Sequence, residues 1–198
     1  MEEKMNKTKQ LVSGGVLTAL VLVLQFLAVY LRGVFPVFAP SLVLIPIVIG
    51  AALGGVKLSA WLGLVFAGAV FISGDANSFL AVDIAGTIIT VVAKGVLCGV
   101  MAGLSYRLLF RKNKYVAIVV SAIVCPVINS GVFACGCFIF FMDTLTQWGT
   151  AMGFENALSY LFLGMIGVNF LFELGLNLVL SPAVLRLINI KEIKGLEK

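Results

Sequence analysis

The sequence contains no histidine and is poor in charged residues, which make up 12% of its 198 residues, whereas soluble domains carry roughly 25%. Histidine is the commonest general base and metal ligand among the side chains. The chain also lacks a GxxxxGK(S/T) phosphate loop and a serine with a plausible base beside it. We therefore expect neither an enzyme nor a protein that holds a metal or another cofactor.

Cysteine is also scarce. The four cysteines lie within apolar segments and form no CxxC pair. This pattern argues against a disulfide framework and against a zinc site. We interpret all four as packed side chains of the interior, namely Cys98, Cys125, Cys135 and Cys137.

Hydrophobic residues make up 61% of the chain and form long runs, which indicates an integral membrane protein. A transmembrane helix needs about 17 to 25 mostly apolar residues, so the chain has room for six helices with short connections. No cleavage site follows the first run, so we expect the first helix to be retained. We predict one all-α membrane domain over residues 1–198, a bundle of six helices at approximately 9–31, 41–56, 58–73, 83–109, 115–142 and 157–188.

Basic residues predict the orientation of this bundle, because Lys and Arg concentrate in cytoplasmic segments. They precede helix 1, lie between helices 2 and 3 and between helices 4 and 5, and follow helix 6. The opposite side carries one cation, Arg32, and several acidic residues. Both termini are therefore expected in the cytoplasm. We interpret the net charge of +5 as an orientation signal and not as a sign of nucleic-acid binding.

Three polar residues interrupt the apolar runs at membrane depth. Lys94 and Glu173 lie the same number of residues before Arg107 and Arg186, respectively, which puts both roughly 20 Å from the inner boundary. Asn129 reaches roughly the same level from helix 5. An ionised side chain at this depth costs about 2.5 to 3.5 kcal/mol even on the translocon scale. Three helices therefore deliver polar groups to one layer, which we place toward the outer face.

Helix 6 extends this layer into a stripe, because Asn169, Glu173 and Asn177 are spaced i, i+4 and i+8. Such a stripe should face the bundle interior. One interpretation is a buried pair of Lys94 and Glu173 that only holds the bundle together. Buried ion pairs often add little stability, so we favour a solute-binding cavity in which Lys94 meets an anionic group. The residues predicted to line it are Lys94, Asn129, Asn169 and Glu173.

The outer loops and the outer surface add further residues. The loop between helices 3 and 4 contributes two more candidates for solute binding, Asp75 and Asn77, although both residue types also form turns. The aromatic residues near the outer surface are interpreted as an interfacial belt: Tyr30, Trp148 and Tyr160.

Two helices carry faces of small residues, which favour close helix packing in membranes. Helix 4 has glycines at four-residue spacing, which we assign to packing inside the bundle: Gly95, Gly99 and Gly103. Helix 1 has two small-residue pairs whose partner is either this bundle or another chain: Gly14 with Thr18, and Gly15 with Ala19.

From residue 9 to about residue 188 the chain resembles a substrate-binding S component of an energy-coupling factor (ECF) transporter. The resemblance rests on the six apolar runs, on GGVLTAL in helix 1, on IVCPVINSGVFACGCFIFF in helix 5 and on NFLFELGLNLVLSP in helix 6. It also rests on the block SLVLIPIVIGAALGGVKLSAWLGLVFAGAVFISGDANSFLAVDIAGTIITVVAKGVLCGVMAGLSYRLL.

This resemblance implies a vitamin-binding subunit of a prokaryotic plasma membrane that works with a transmembrane coupling (T) subunit and two ATPase subunits. It implies that the vitamin binds near the outer face and that the bundle then topples within the bilayer to release it inside. Small residues of helix 1 form the docking surface for the coupling subunit in that family. The positions that match are Gly14, Gly15, Thr18 and Ala19, with Gly15 in place of the first alanine of the family pattern.

Other functions stay open from the residues alone. A stand-alone ion-coupled transporter would use Glu173 as a group that titrates during transport, and a structural subunit would bind no ligand. Lys94 favours a carboxylate-bearing solute such as pantothenate, and riboflavin and folate are the alternatives.

Overall fold

The computed structural model describes the backbone of residues 7–34 and 42–196 and, within these, the side chains of residues 11–33 and 42–186. This part of the chain is helical throughout its regular elements, in the order α1 (Lys7–Val34), α2 (Leu44–Ile72), α3 (Asn77–Leu80), α4 (Ile84–Phe110), α5 (Lys114–Phe140), α6 (Met142–Ala151), α7 (Ala157–Ser159), a π-helical segment (Tyr160–Gly167) and α8 (Val168–Leu196).

Five helices in the described ranges are long and apolar enough to cross a membrane. They confirm an all-α, multi-pass membrane protein, but the predicted count of six spans is not confirmed, because the helices predicted at 41–56 and 58–73 are the two halves of α2, which counts as one candidate span by length and composition. The predicted start at residue 41 lies outside the described residues, and so do the two ends of the chain, residues 1–6 and 197–198. The five spans are Leu11–Gly33, Leu44–Ile72, Ile84–Phe110, Lys114–Phe140 and Ala157–Arg186.

α2 is broken at Gly55, whose backbone angles (φ 65°, ψ −157°) belong to a region that essentially only glycine occupies. In a straight helix Gly50 and Leu62 would be about 18 Å apart. Instead, a Cβ added at Gly50 would collide with Leu62 Cδ1, so residues 44–54 fold back against residues 56–72. The turn predicted at Gly54 and Gly55 is therefore present. The first half, at about 1.5 Å per residue, is about 16 Å long, roughly half of a bilayer's hydrocarbon thickness.

The second half of α2 packs against α4 almost backbone to backbone. Gly95, Gly99 and Gly103 are buried, and a Cβ at any of them would collide with backbone atoms of α2 or with the Ser59 hydroxyl. Small residues allow this approach, which brings many atoms into van der Waals contact in a bilayer that offers no hydrophobic driving force between helices. The prediction that these glycines pack inside the bundle is confirmed.

Two clusters of buried side chains hold the helices together. The larger one draws on α1, α2, α4, α5 and α8 and includes Val21, Phe66, Ile118 and Val184. The smaller one joins the end of α5 to α6, α7 and the π-helical segment through Phe141, Leu145, Ala157 and Leu161. Cys98, Cys125 and Cys137 are buried as expected, whereas Cys135 is exposed, which corrects its assignment to the interior.

The smaller cluster depends on α6, which the sequence analysis did not predict. In this ten-residue helix, Leu145 and Gly149 are buried. A Cβ at Gly149 would lie 2.9 Å from Tyr160 Cβ, so the glycine allows α6 to lie directly on the π-helical segment. This arrangement places Trp148 and Ala151 of α6 beside the polar layer.

Candidate functional site

A cavity of about 680 Å³ lies between α4, α5 and α8 and extends to α3, α6 and the π-helical segment. This volume is in the range of pockets that hold drug-sized ligands, roughly 300 to 1,000 Å³. The structure brings five of the six residues predicted for solute binding to its wall: Asp75, Lys94, Asn129, Asn169 and Glu173.

The α4 wall of the cavity has a well-defined start. Asp83 caps the helix, because its carboxylate accepts a hydrogen bond from the Gly86 N–H at 3.0 Å. From this cap, Thr87, Thr90 and Lys94 follow at helical spacing on one face of α4, and all three line the cavity. Lys94 was predicted on this face from the sequence, and the two threonines were not.

Lys94 is held by two aromatic rings. Its Nζ lies 5.4 Å from the centroid of the Phe66 ring in α2 and 5.1 Å from that of the Phe133 ring in α5. An ammonium group over a ring face is attracted by the ring quadrupole, by about 2 kcal/mol or more where the pair is desolvated. The rings therefore offset part of the free energy that the charge loses on leaving water, and they fix its position at the cavity wall.

Asn129 and Thr90 line the cavity, and each has a buried polar side-chain atom. Asn129 is 5% exposed and Thr90 is 4% exposed. Neither Asn129 Oδ1 nor Thr90 Oγ1 has a hydrogen-bond partner in the part of the protein that the structure describes. Thr90 Oγ1 faces Gly136 of α5, which packs directly on it. A buried polar atom without a partner costs about 1 to 3 kcal/mol, so a hydrogen bond from a bound molecule would stabilise Asn129 Oδ1.

The polar stripe of the last span faces the interior as predicted, but only its N-terminal part reaches the cavity. Asn169 and Glu173 line the cavity, and Glu173 is 5% exposed. Asn177 does not line it; its Nδ2 donates to the Glu173 carbonyl at 2.8 Å, and the Ser181 hydroxyl donates to the Asn177 carbonyl at 2.8 Å. The C-terminal part of the stripe therefore forms its hydrogen bonds within α8.

The segment just before α8 has an unusual backbone. Residues Tyr160–Gly167 form a π-helix, which is rare and is frequently found at functional sites. The wider turn changes the angular positions of its side chains, and four of its residues line the cavity: Tyr160, Gly164, Met165 and Ile166.

A polar link joins α1 to the loop after α2 at the cavity wall. Gln25 is buried, and its Nε2 donates to Asp75 Oδ2 at 3.0 Å and to Ser73 Oγ at 3.3 Å. Arg32, which also lines the cavity, forms an ion pair with the other oxygen of Asp75. Asp75 therefore has protein partners. Arg32 is a cavity residue that was not predicted from the sequence, and Gln25, which does not line the cavity, holds Asp75 by a hydrogen bond. The signal for Gln25 was an amide within the apolar run of α1.

Asn77 is not brought to the site. Its side chain is exposed, and it does not line the cavity. It starts α3, and its amide lies close to Gly74, a turn residue with φ 76°. The geometry therefore assigns Asn77 to the local turn.

Aromatic side chains form much of the remaining wall. Trp148 and Tyr160 line the cavity, which corrects their assignment to an interfacial belt, whereas Tyr30 is 70% exposed and lies elsewhere. No spacing rule identifies the aromatic lining residues, because they come from several helices, the π-helical segment and the loops around α6. The other aromatic lining residues are Phe79, Phe133, Phe141, Phe154 and Phe170.

The small-residue face of α1 divides into two sides. On one side, Thr18 Oγ1 accepts a hydrogen bond from Trp61 Nε1 at 3.2 Å, and a Cβ at Gly14 would lie 3.4 Å from Leu58 of α2. On the other side, Gly15 and Ala19 are exposed, and nothing in the described structure lies within 4 Å of a Cβ built at Gly15. The first pair therefore packs against α2, and the second pair faces outward.

Comparison with known proteins identifies the family. The family described as ECF transporter, substrate-specific component, matches residues 9–185, a range that includes the cavity and nearly all of the five spans. No curated protein and no solved structure matches the chain. Because the match covers far more than half of the sequence, the chain belongs to the substrate-specific components of ECF transporters.

Proposed function

We propose that this chain captures a vitamin or a related micronutrient in the cavity, on the extracellular side of a prokaryotic plasma membrane. The observation that carries the proposal is the convergence of Lys94, Asn129 and Glu173, from three different helices, on one cavity of about 680 Å³. Polar and charged groups at membrane depth are expensive, and in membrane proteins they mark substrate pathways. A substrate-specific component needs such a site.

Delivery of the solute to the cytoplasm requires partner subunits. Substrate-specific components of this family pair with a T subunit and ATPase subunits in the membrane. We infer that ATP hydrolysis by those partners drives import and that the bundle topples against the T subunit to release the solute inside. The exposed strip of Gly15 and Ala19 supports a docking surface, because it offers a partner helix close access to the backbone of α1.

The first test measures capture. The full chain is purified in detergent, and small molecules that copurify with it are identified by mass spectrometry. The affinity of the protein for the identified molecule is then measured by titration. Glu173→Gln is expected to weaken binding while the protein stays folded, because Glu173 lines the cavity. Glu155→Gln is the matched control, since Glu155 is exposed and does not line the cavity. Equal affinity in both variants would remove Glu173 from the site.

The second test measures delivery. Proteoliposomes that contain this chain with a T subunit and ATPases are expected to accumulate the solute with ATP, and proteoliposomes with the chain alone are not. Gly15→Trp is expected to abolish uptake and assembly while solute binding persists. Ile139→Trp is the control, because Ile139 is 71% exposed on α5, outside this strip. Uptake by the chain alone would instead support an ion-coupled transporter.

A further inference from the structure

The cavity is unusually rich in aromatic side chains. Seven of its 25 lining residues are aromatic, against 11% of the whole chain, so the enrichment is more than twofold. These residues come from α3, α5, α6, α8, the π-helical segment and the loops around α6, so they surround the cavity from several sides. The wall is therefore suited to a solute that makes extensive contact with rings.

Packing among the rings fixes their orientation. Phe79 of α3 is at the centre of a cluster in which three rings meet it edge to face, with centroid distances of 5.7, 5.0 and 5.5 Å to Phe133, Phe141 and Trp148. This geometry is the one that aromatic quadrupoles favour. Rings held in this way form a preorganised surface, and preorganisation favours a rigid solute over a flexible one, because a rigid solute loses less conformational entropy on binding.

The polar atoms of the wall indicate what the solute must offer. The Lys94 ammonium is a donor only, so it requires an acceptor or an anionic group on the solute. Asn129 lines the cavity, and its Oδ1 is an acceptor with no partner among the described residues, so a donor such as an N–H on the solute would satisfy it. Arg32 and Asp75 are already paired with each other, which removes them as the primary anchors of a solute charge.

We propose that the solute is a planar heteroaromatic molecule that carries both an acceptor for Lys94 and an N–H donor for Asn129, and not a flexible aliphatic acid. This inference rests on the proposed function of the cavity as the capture site. It reverses the preference that Lys94 alone suggested, since one cation favours any carboxylate, whereas the aromatic wall favours a ring.

The experiment uses the single tryptophan of the cavity as a reporter. The chain has two tryptophans, and Trp61→Phe leaves Trp148, which lines the cavity. Riboflavin and folate serve as heteroaromatic probes and pantothenate as the aliphatic probe, with affinities checked by calorimetry. A ring probe is expected to quench Trp148 saturably, and pantothenate is expected neither to bind nor to compete.

A matched pair of variants tests the role of the rings. Phe133→Leu should weaken binding of the ring probe by about three- to tenfold, because a stacked or edge-on ring contact is lost while apolar volume is largely kept. Phe138→Leu should leave the affinity unchanged, since Phe138 lies on the same helix, is 40% exposed and does not line the cavity. Equal affinities of the two variants would overturn the proposal.

The possible results separate this inference from the function on which it rests. Pantothenate binding without binding of either ring probe would overturn the aromatic assignment and leave capture intact. If no probe binds, the molecule that copurifies decides: a conjugated heterocycle supports the inference, and an aliphatic molecule overturns it. If nothing copurifies and no probe binds, the proposed capture function fails, and the inference fails with it.

Discussion

Removal of the positive charge of Lys94 is the sharpest test of the site. Lys94→Met removes the ammonium group and keeps a long, flexible apolar side chain that still packs against Phe66 and Phe133. Lys114→Met is the matched control, because Lys114 Nζ lies 5.5 Å from the Phe110 ring centroid but outside the cavity. Both variants lose a cation–π contact, and only Lys94→Met loses a charge that faces the cavity.

The expected magnitude follows from the contact that the ammonium makes with the solute. At an effective dielectric constant of about 20, two unit charges about 4 Å apart attract by about 4 kcal/mol, which is an upper bound on the loss. Measured hydrogen bonds to charged groups contribute about 1.5 to 3 kcal/mol. We therefore expect Lys94→Met to raise the Kd roughly ten- to hundredfold. The loss of the cation–π contacts, about 0.5 to 2 kcal/mol, lowers stability but leaves the protein folded.

The assay is a titration of the purified variants with the solute that copurifies with the wild-type protein, or with the ring probe that binds best. Lys94→Arg is the rescue variant, because it keeps the positive charge and is expected to recover part of the affinity. If Lys94→Met binds as tightly as Lys114→Met and as the wild type, the ammonium makes no contact with the solute, and the reasoning about the polar layer is wrong.

The remaining predictions concern the scaffold and are read out as the midpoint of thermal unfolding in detergent. Gly99→Ala should destabilise the protein by about 1 to 3 kcal/mol through overpacking against α2. Gly15→Ala meets open space and should be neutral or stabilising. Equal unfolding midpoints of the two variants would contradict the close approach of α2 and α4. Gly55→Ala should cost about 1 to 3 kcal/mol, because its φ and ψ are essentially restricted to glycine, and an unchanged midpoint would argue against this backbone. Gln25→Leu should cost about 1 to 3 kcal/mol, because the Asp75 carboxylate loses a hydrogen bond, and full stability would show that this link contributes nothing.

Charge and apolar patterning were enough to predict most of the helices. The helix predicted at 83–109 is α4, Ile84–Phe110, and the one predicted at 115–142 is α5, Lys114–Phe140. Both start at polar caps, Asp83 and Asn113, which accept hydrogen bonds from the first turn of each helix. The pair of glycines at 54 and 55 likewise predicted the reversal in α2, but length and hydropathy alone do not separate two spans from one broken helix.

The parts of the site that were missed have no periodic signal. α6 is a short helix of mixed polarity between two apolar runs, so it looks like a loop in the sequence. The π-helical segment has the same apolar composition as an α-helix, and its wider turn depends on tertiary packing. The polar layer was readable because charged and amide residues are rare at membrane depth, whereas a phenylalanine that lines a cavity looks the same as one that faces lipid.

The position of Lys94 follows from the glycine packing next to it. Gly95 is in backbone contact with Gly63 of α2, and this contact fixes both the height and the rotation of α4. Lys94, one residue earlier, is thereby turned about 100° from the contact between Gly95 and Gly63, and its ammonium group reaches the cavity wall beside Phe66. On α5, Gly136 packs so closely on Thr90 that any side chain there would displace it, which sets the distance between the two walls. The close packing of the glycine face of α4 thus holds the charged and polar groups of the adjacent face at fixed positions. A selective binding site requires such fixed positions.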